Sequence, residues 1–266
     1  MRGRRREAEA RHGFAGRAER RGAWARGPIR AGDFTDRTFT TLEDRWRRLT
    51  AVVRRHVPAD APVSVLDLGC GTAEQLFDLA EALPAATLTG VDISAANIDR
   101  AERATRRRPD AARFTFITAD YMNFHAGPFD VIWSDSVLHA IPVDTDALFA
   151  KLASELRPGG LLVYTMPSAC LYNRALGLAR RVLRATRSRA TDALLLALAR
   201  RAHPEHGDGF LAERIPYMYL VPARHDSPAL HRRLESSLGL MAVETGPVAH
   251  ASPAQMKHTL SVFRKT

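Results

Sequence analysis

Val65-Leu66-Asp67-Leu68-Gly69-Cys70-Gly71-Thr72 reads as a short buried strand that passes through a tight glycine turn into a helix. Outward from it, β-branched and apolar runs alternate with amphipathic stretches. Val63–Leu68 is a strand, and Glu74–Leu83 is a helix stopped by Pro84. Thr87–Val91 is a second strand, followed by a helix over about Ala95–Arg107. Phe114–Thr118 is a third strand, and Phe129–Trp133 a fourth. A helix capped by Asp144 or Thr145 runs to Leu156, Arg157-Pro-Gly-Gly160 turns, and Leu161–Met166 is a fifth strand. Strands separated by helices of about ten residues predict βαβ units and a parallel sheet covered on both faces. Upstream, Asp33–Val57 shows helix-like spacing of Phe34, Phe39, Leu42, Trp46, Leu49, Val52 and Val53, ended by Pro58 to Pro62.

The chain has 266 residues, 45% of them apolar and 26% charged, which suits a folded soluble domain and not a disordered chain. Two cysteines, Cys70 and Cys170, exclude a disulfide framework and point to a reducing, cytoplasmic setting. No apolar run approaches the roughly 20 residues that a membrane span needs. The net charge of +10 is uneven: residues 1–31 hold ten Arg and three Glu, leaving +3 for the rest. An Arg-rich arm can contact nucleic-acid phosphates. Few large apolar residues make it read instead as a disordered tail or as sequence ahead of a working start near Phe34. Arginine outnumbers lysine 36 to 3, a skew of the kind that codon bias produces, so Arg density alone says little about function.

Glycine at positions 69 and 71 permits a sharp turn and close approach of a ligand to the backbone. Asp67 stands two residues before the turn. Asp92 ends the second strand 21 residues after Gly71, where a carboxylate can accept ribose hydroxyls. A nicotinamide fingerprint wants Gly at position 74, and this chain has Glu74. A carboxylate there is a poor neighbour for a pyrophosphate but suits a ligand without phosphate. Taken singly, Asp67 can brace a loop and Asp92 can start a helix; the ordered set favours cofactor binding. Cys70 reads as a small buried residue.

Val65–Thr72, Gly90-Val-Asp-Ile-Ser94, Ala119-Asp-Tyr121, Phe129–Ser136 and Leu156-Arg-Pro-Gly-Gly-Leu161 together resemble a class I S-adenosylmethionine-dependent methyltransferase. The likeness covers about Val63–Met166, with a weaker match at the C-terminal end. It implies an α/β, doubly wound Rossmann-like seven-stranded sheet, mostly parallel with an antiparallel C-terminal strand, plus a helical cap insertion. By the same resemblance, Gly69 and Gly71 pass the methionine and ribose parts of S-adenosyl-L-methionine, and Asp67 holds the loop and faces the amino group. Asp92 binds the ribose and Ile93 covers one adenine face. Asp120 accepts from the adenine amino group with Tyr121 beside it, and Ser134 and Asp135 line the far side. Ala73 stands where many members have a third Gly, which implies a small shift of the loop. The organisation expected is a tail over 1–32, N-terminal helices over 33–60, a cofactor core over 61–166, a cap over 167–235 and a strand pair over 236–266.

The chemistry so implied is in-line displacement at a sulfonium methyl, with alignment of the acceptor and removal of a proton where needed. His139 is the candidate base, with Asp135 and Glu213 behind it; a packing histidine is the ordinary alternative. No spacing suggests a metal site. In the insertion, Tyr172–Arg189, Thr191–Ala202 and His225–Leu238 read as helices, and Ile215–Pro222 as a strand or wall segment. Arg174, Arg214, Tyr217 and Tyr219 are candidate acceptor contacts, suited to an anionic or lipid-like small molecule. The basic helix can alternatively lie on an anionic membrane surface, or be a solvated Arg face. The expected partner is a small-molecule acceptor of specialised metabolism. An RNA or protein methyltransferase using the basic tail and a non-catalytic cofactor binder stay open; nucleic acid is disfavoured by the small charge of the body.

Overall fold

A computed structural model describes residues 43–248 and 255–266. The expectations for the tail, for Phe34, Phe39 and Leu42, and for the side chains of Trp46, Leu49 and Glu213 lie outside the described residues. The described residues form two compact units: a helical one, Arg180–Tyr219, and a sheet-bearing one made of the rest.

The sheet-bearing unit opens with α1 (Glu43–His56), then β1 (Ser64–Leu68), α2 (Glu74–Ala82), β2 (Thr87–Asp92), α3 (Ala95–Thr105) and β3 (Phe114–Thr118). It continues with β4 (Phe129–Asp135), α4 (Thr145–Ser154) and β5 (Leu156–Pro167). The sheet order is β3-β2-β1-β4-β5-β7-β6, with β6 (Leu240–Val248) and β7 (His258–Lys265) supplying the last two strands. All neighbours are parallel except those of β7, which runs antiparallel to β5 and β6. The strand alternation sorts side chains onto two covered faces. Val65, Val131 and Val163 pack with Val53 of α1 and with Leu76 and Leu79 of α2. Leu66, Ile132 and Leu162 pack with Leu148 and Leu152 of α4 and with Leu230 and Leu234 of α8 (Pro228–Leu238). Burial on both faces explains why the strands read as near-continuous apolar runs.

Several boundaries differ from the sequence reading for local reasons. β5 begins at Leu156, because Leu156 pairs with Phe129 ahead of a register shift, so Arg157 to Gly160 is a bulge inside the strand. A Cβ at Gly160 would sit 2.8 Å from the Arg157 carbonyl oxygen, which is why this bend carries glycine. α8 begins at Pro228, not His225, since Ser227 caps it by accepting from Leu230 N–H and Pro228 occupies the first turn. The buried Asp226 carboxylate is engaged elsewhere: Tyr164 Oη, Ser261 Oγ and His231 Nε2 donate to it at 2.9, 2.9 and 2.8 Å.

α5 (Leu171–Ala185) begins in the sheet-bearing unit, and its last six residues lie in the helical one. The helical unit also holds α6 (Arg189–Ala202) and α7 (Asp208–Arg214). Ser188 caps α6 by accepting from Thr191 N–H, so α5 stops short of Arg189. Ile215–Pro222, read as a strand or wall segment, is no strand: Ile215–Tyr219 forms a 3-10 turn. Pro216 lacks an N–H for a ladder, and among the described residues of this unit no strand is present to pair with it.

One arginine fastens the turn that follows β4. The buried Arg224 guanidinium donates to the carbonyls of Ile141 (2.9 Å), Val143 (2.5 Å) and Leu138. Replacing it takes the guanidinium donor from all three carbonyls, of which Ile141 keeps the Val143 N–H at 3.0 Å. Arg224→Met should therefore lower stability by on the order of 3 kcal/mol in chemical denaturation. Arg224→Lys should recover only part, since an ammonium lacks the planar fork that reaches several carbonyls. A loss below about 0.5 kcal/mol for the Met variant would contradict this role.

Candidate functional site

The strand order reverses between β1 and β4, which are paired neighbours. Chains leaving their carboxyl ends turn to opposite sides and open a crevice there, the place where open α/β sheets bind ligands. Three backbone N–H groups shape the turn after β1. Gly69 and Cys70 donate to the Val91 carbonyl at 2.7 and 3.1 Å, and Gly71 donates to Asp92 Oδ2 at 2.9 Å. Gly69, Gly71 and Ala73 have φ of 76°, 56° and 72°. At Gly69 a Cβ would lie 2.3 Å from Val137 Cγ2, so a side chain is excluded on both counts. Ala73 keeps a left-handed conformation despite its Cβ, a strain of roughly 1 kcal/mol held by the surrounding packing.

Asp92 ties this turn to the next helix. Its Oδ1 accepts from Ser94 N–H at 2.8 Å and from Asn97 Nδ2 at 3.3 Å. Ser94 caps α3, and Ile93 between them is half-buried. Each carboxylate oxygen has two lone-pair directions, so these three bonds leave capacity for one further donor, on Oδ2. Burial raises the Asp92 pKa, and the bonds from Ser94, Gly71 and Asn97 oppose that rise.

Asp67 is 2% exposed, and its Oδ2 has no hydrogen-bond donor among the described residues. Burial pushes its carboxyl well above the usual carboxylate range, and the charges of Asp135 and Asp92 push it further. Asp135, at the end of β4, accepts from Ser136 Oγ at 3.1 Å and from the Thr165 hydroxyl. Ser134 is fully buried and donates to the Leu68 carbonyl at 3.1 Å, fastening the ends of β4 and β1 together. Glu74, in the first turn of α2, accepts from the Thr72 hydroxyl.

The remaining sequence candidates divide. Asp120 caps the turn Tyr121–Asn123 by accepting from Met122 N–H at 3.0 Å. Tyr121 is buried in the core beside α4; its hydroxyl donates to Glu155 at 2.7 Å and Lys151 Nζ stands 4.9 Å from its ring centre. His139 is buried in the turn Leu138–Ala140, and its carbonyl accepts from Ala223 N–H at 2.9 Å. Arg174 is exposed on α5. Arg214, Tyr217 and Tyr219 belong to the helical unit, where Tyr219 donates to Asp192 at 2.6 Å and carries the Arg187 guanidinium 4.4 Å over its ring.

Sequence reasoning missed His258. It starts β7 opposite Pro167, and the antiparallel direction of β7 brings it to the carboxyl edge of β5. Its ring meets that of His139 edge-on at 5.8 Å, and its Nδ1 donates to the Met256 carbonyl at 2.8 Å. Only the pairing of a C-terminal strand could reveal it. Ser94 and Asn97 were also passed over, although a serine just before a helical pattern signals a cap. Among the described residues no cluster of His, Cys, Asp or Glu could hold a metal ion.

A methyltransferase-domain family model matches residues 65–160. The trans-aconitate 2-methyltransferase of Deinococcus radiodurans is 37% identical over 112 residues, 42% of this chain and 41% of that protein. The 27-O-demethylrifamycin SV methyltransferase of Amycolatopsis mediterranei is 33% identical over 131 residues, 48% of this chain and 47% of that one. The chain thus spans less than half the length of these relatives. Among solved structures, the 1,6-didemethyltoxoflavin-N1-methyltransferase of Burkholderia thailandensis has a TM-score of 0.55 at 16% identity, covering 84% of this chain and 79% of that one. The magnesium protoporphyrin IX methyltransferase of Synechocystis has a TM-score of 0.54 at 17% identity, covering 88% and 91%. These structures share the fold.

The raised Asp67 pKa has a consequence for stability. A carboxyl harder to ionise in the folded chain than in the unfolded one keeps its proton over the interval between the two pKa values. Stability therefore falls as pH rises through that interval. Asp67→Asn should match the wild type in urea denaturation below roughly pH 4 and become progressively the more stable protein toward neutral pH. A difference independent of pH, or one that favours the wild type as pH rises, would contradict this placement.

Proposed function

We propose, from the premise that residues 65–160 form a class I S-adenosylmethionine-dependent methyltransferase domain, that this protein methylates a small organic acceptor. The observation that carries the cofactor in this reading is Asp67, a buried carboxyl with one oxygen lacking a donor among the described residues, accompanied by the charges of Asp92 and Asp135. Such a floor disfavours a pyrophosphate and favours a cation. S-adenosylmethionine bears a sulfonium and an ammonium and no phosphate, so the donor set fits it. When bound, it supplies an electrophilic methyl group on a positively charged sulfur.

The chain's own residues then have separable tasks. The Asp67 carboxylate would balance the positive charge of the bound ligand, which offsets the cost of its burial. Asp92 accepts from a ribose hydroxyl with the Oδ2 lone pair that Gly71, Ser94 and Asn97 leave open. Gly69 and Gly71 keep the backbone bare beside the ligand, Ile93 covers one adenine face, and Asp120 accepts from the adenine amino group. Tyr121 and Ser134 act from behind, holding Glu155 and the Leu68 carbonyl. His139 takes the acceptor's proton, and Asp135 is held in place by the hydroxyls of Ser136 and Thr165. The small acceptor is supported by relatives whose names specify trans-aconitate and 27-O-demethylrifamycin SV as their substrates.

Asp92→Ala should weaken S-adenosylmethionine binding by about 1.5–3 kcal/mol in calorimetry, because charge-assisted bonds to the ribose are lost. Unchanged affinity would refute the ribose assignment. His139→Ala should lower turnover far more than cofactor affinity; equal effects on both would return His139 to a packing role. The acceptor class is tested with methyl-labelled cofactor and a bacterial extract divided by size. Label is expected in small organic products, and label confined to the macromolecular fraction would overturn the small-acceptor reading.

A further inference from the structure

α5 turns its apolar stripe away from the protein. Leu171, Leu178 and Val182 are 81%, 63% and 58% exposed, and Ala175 and Ala185 are exposed with them. These five positions recur at i, i+4, i+7, i+11 and i+14, which is one face of a helix. The inward side carries the buried Asn173 and Arg180 together with the half-buried Leu176 and Leu183. The Asn173 amide donates to the carbonyls of Ser168 and Lys257, each at 2.7 Å, and its Oδ1 accepts from Lys257 N–H at 2.9 Å. A helix on a water-soluble core ordinarily turns polar residues outward, and here the outward side carries the stripe of Leu171, Leu178 and Val182.

The charges around this stripe are of one sign. The helix contains four Arg and no Asp or Glu. Arg174 and Arg181, both exposed, follow the stripe on one flank. On the other flank stands Tyr172, with Lys257 Nζ 5.0 Å from its ring centre. Exposed apolar side chains with two arginines along one flank, and a tyrosine and a lysine at the other margin, suit a surface that is apolar below and anionic above. Fifteen residues make a helix of about 22 Å, too short to span a bilayer. No helix among the described residues is long and apolar enough to cross a membrane. Other occupants fit less well. A second copy would bring like rows of Arg together, and residues 1–31 carry +7 themselves. A nucleic acid would satisfy the arginines and leave the leucines in water.

We infer that α5 docks the protein on an anionic lipid surface, lying in the plane of the headgroups with Leu171, Leu178 and Val182 inserted and Arg174 and Arg181 on lipid phosphates. This inference stands independently of the methyl-transfer reading. The test is flotation of the full chain with vesicles of phosphatidylserine and phosphatidylcholine, and with vesicles of phosphatidylcholine alone. The wild type should float with the anionic vesicles, lose that binding as salt rises, and stay unbound with the neutral ones. The double variant Leu171→Asp, Leu178→Asp should partition at least about tenfold more weakly. Its circular dichroism and cofactor titration should match the wild type, because both positions are exposed and outside the crevice. Four results would overturn the inference: no flotation of the wild type, or flotation undiminished in the double variant. The others are a wild-type dimer in light scattering that the variant makes monomeric, or retention on RNA that the same variant abolishes.

Discussion

Gly69 and Cys70 donate to the Val91 carbonyl and Gly71 to the Asp92 carboxylate, so the turn leaving β1 is tied along its whole length to the end of β2. The crevice depends on this tie. It fixes a backbone in which φ is positive at Gly69, Gly71 and Ala73, and that backbone starts α2 while leaving the floor of the crevice to Asp67. It also commits Asp92, whose other oxygen holds Ser94 and Asn97 and so fixes the start of α3. One carboxylate thus positions the turn and two helix starts while keeping one lone pair open. The far wall is fastened in the same manner, by Ser134 on the Leu68 carbonyl and by the hydroxyls of Ser136 and Thr165 on Asp135.

That rigidity sets up an electrostatic imbalance. Asp67 is desolvated and lies in the field of two other carboxylates. Without a cation this arrangement is unfavourable, and the rest of the core must compensate for it. In the proposed complex a positively charged ligand would remove the imbalance, and a feature that costs stability in the free protein would become affinity. A pyrophosphate would meet the charges of Asp67, Asp92 and Asp135, which is why the proposed ligand is a sulfonium and not a dinucleotide.

The core of this arrangement was legible in the sequence because its signals are local. The Val65–Leu68 run, the glycine spacing, the carboxylate ending β2 and the Asp144 cap each depend on residues within a few positions of one another. The parts that were not legible depend on pairing between distant segments. His258 reaches the carboxyl edge only because β7 runs antiparallel to β5, and Arg224 reaches the turn after β4 from the far side of the insertion. Tyr121 and Tyr219 looked available for a ligand as residue types, yet the hydroxyls of both are bonded within the protein, to Glu155 and Asp192. α7 was hidden by Pro204, Gly207 and Gly209 around it, and the strand reading of Ile215–Pro222 gave way to a turn for want of a partner strand. The outward stripe of α5 was visible only as amphipathicity; which side faces water is decided by Asn173 bonding inward.

The claim on which the account rests is that the carboxylate floor at the β1–β4 switch point receives a cation. Calorimetric titration of the wild-type protein with S-adenosylmethionine, repeated at mildly acidic pH in buffers of different ionisation enthalpy, addresses it directly. The account predicts one ligand per chain and a heat that varies with the buffer in the sense of proton release, as Asp67 ionises beside the bound positive charge. Absence of binding, or binding accompanied by no release or by proton uptake, would contradict it.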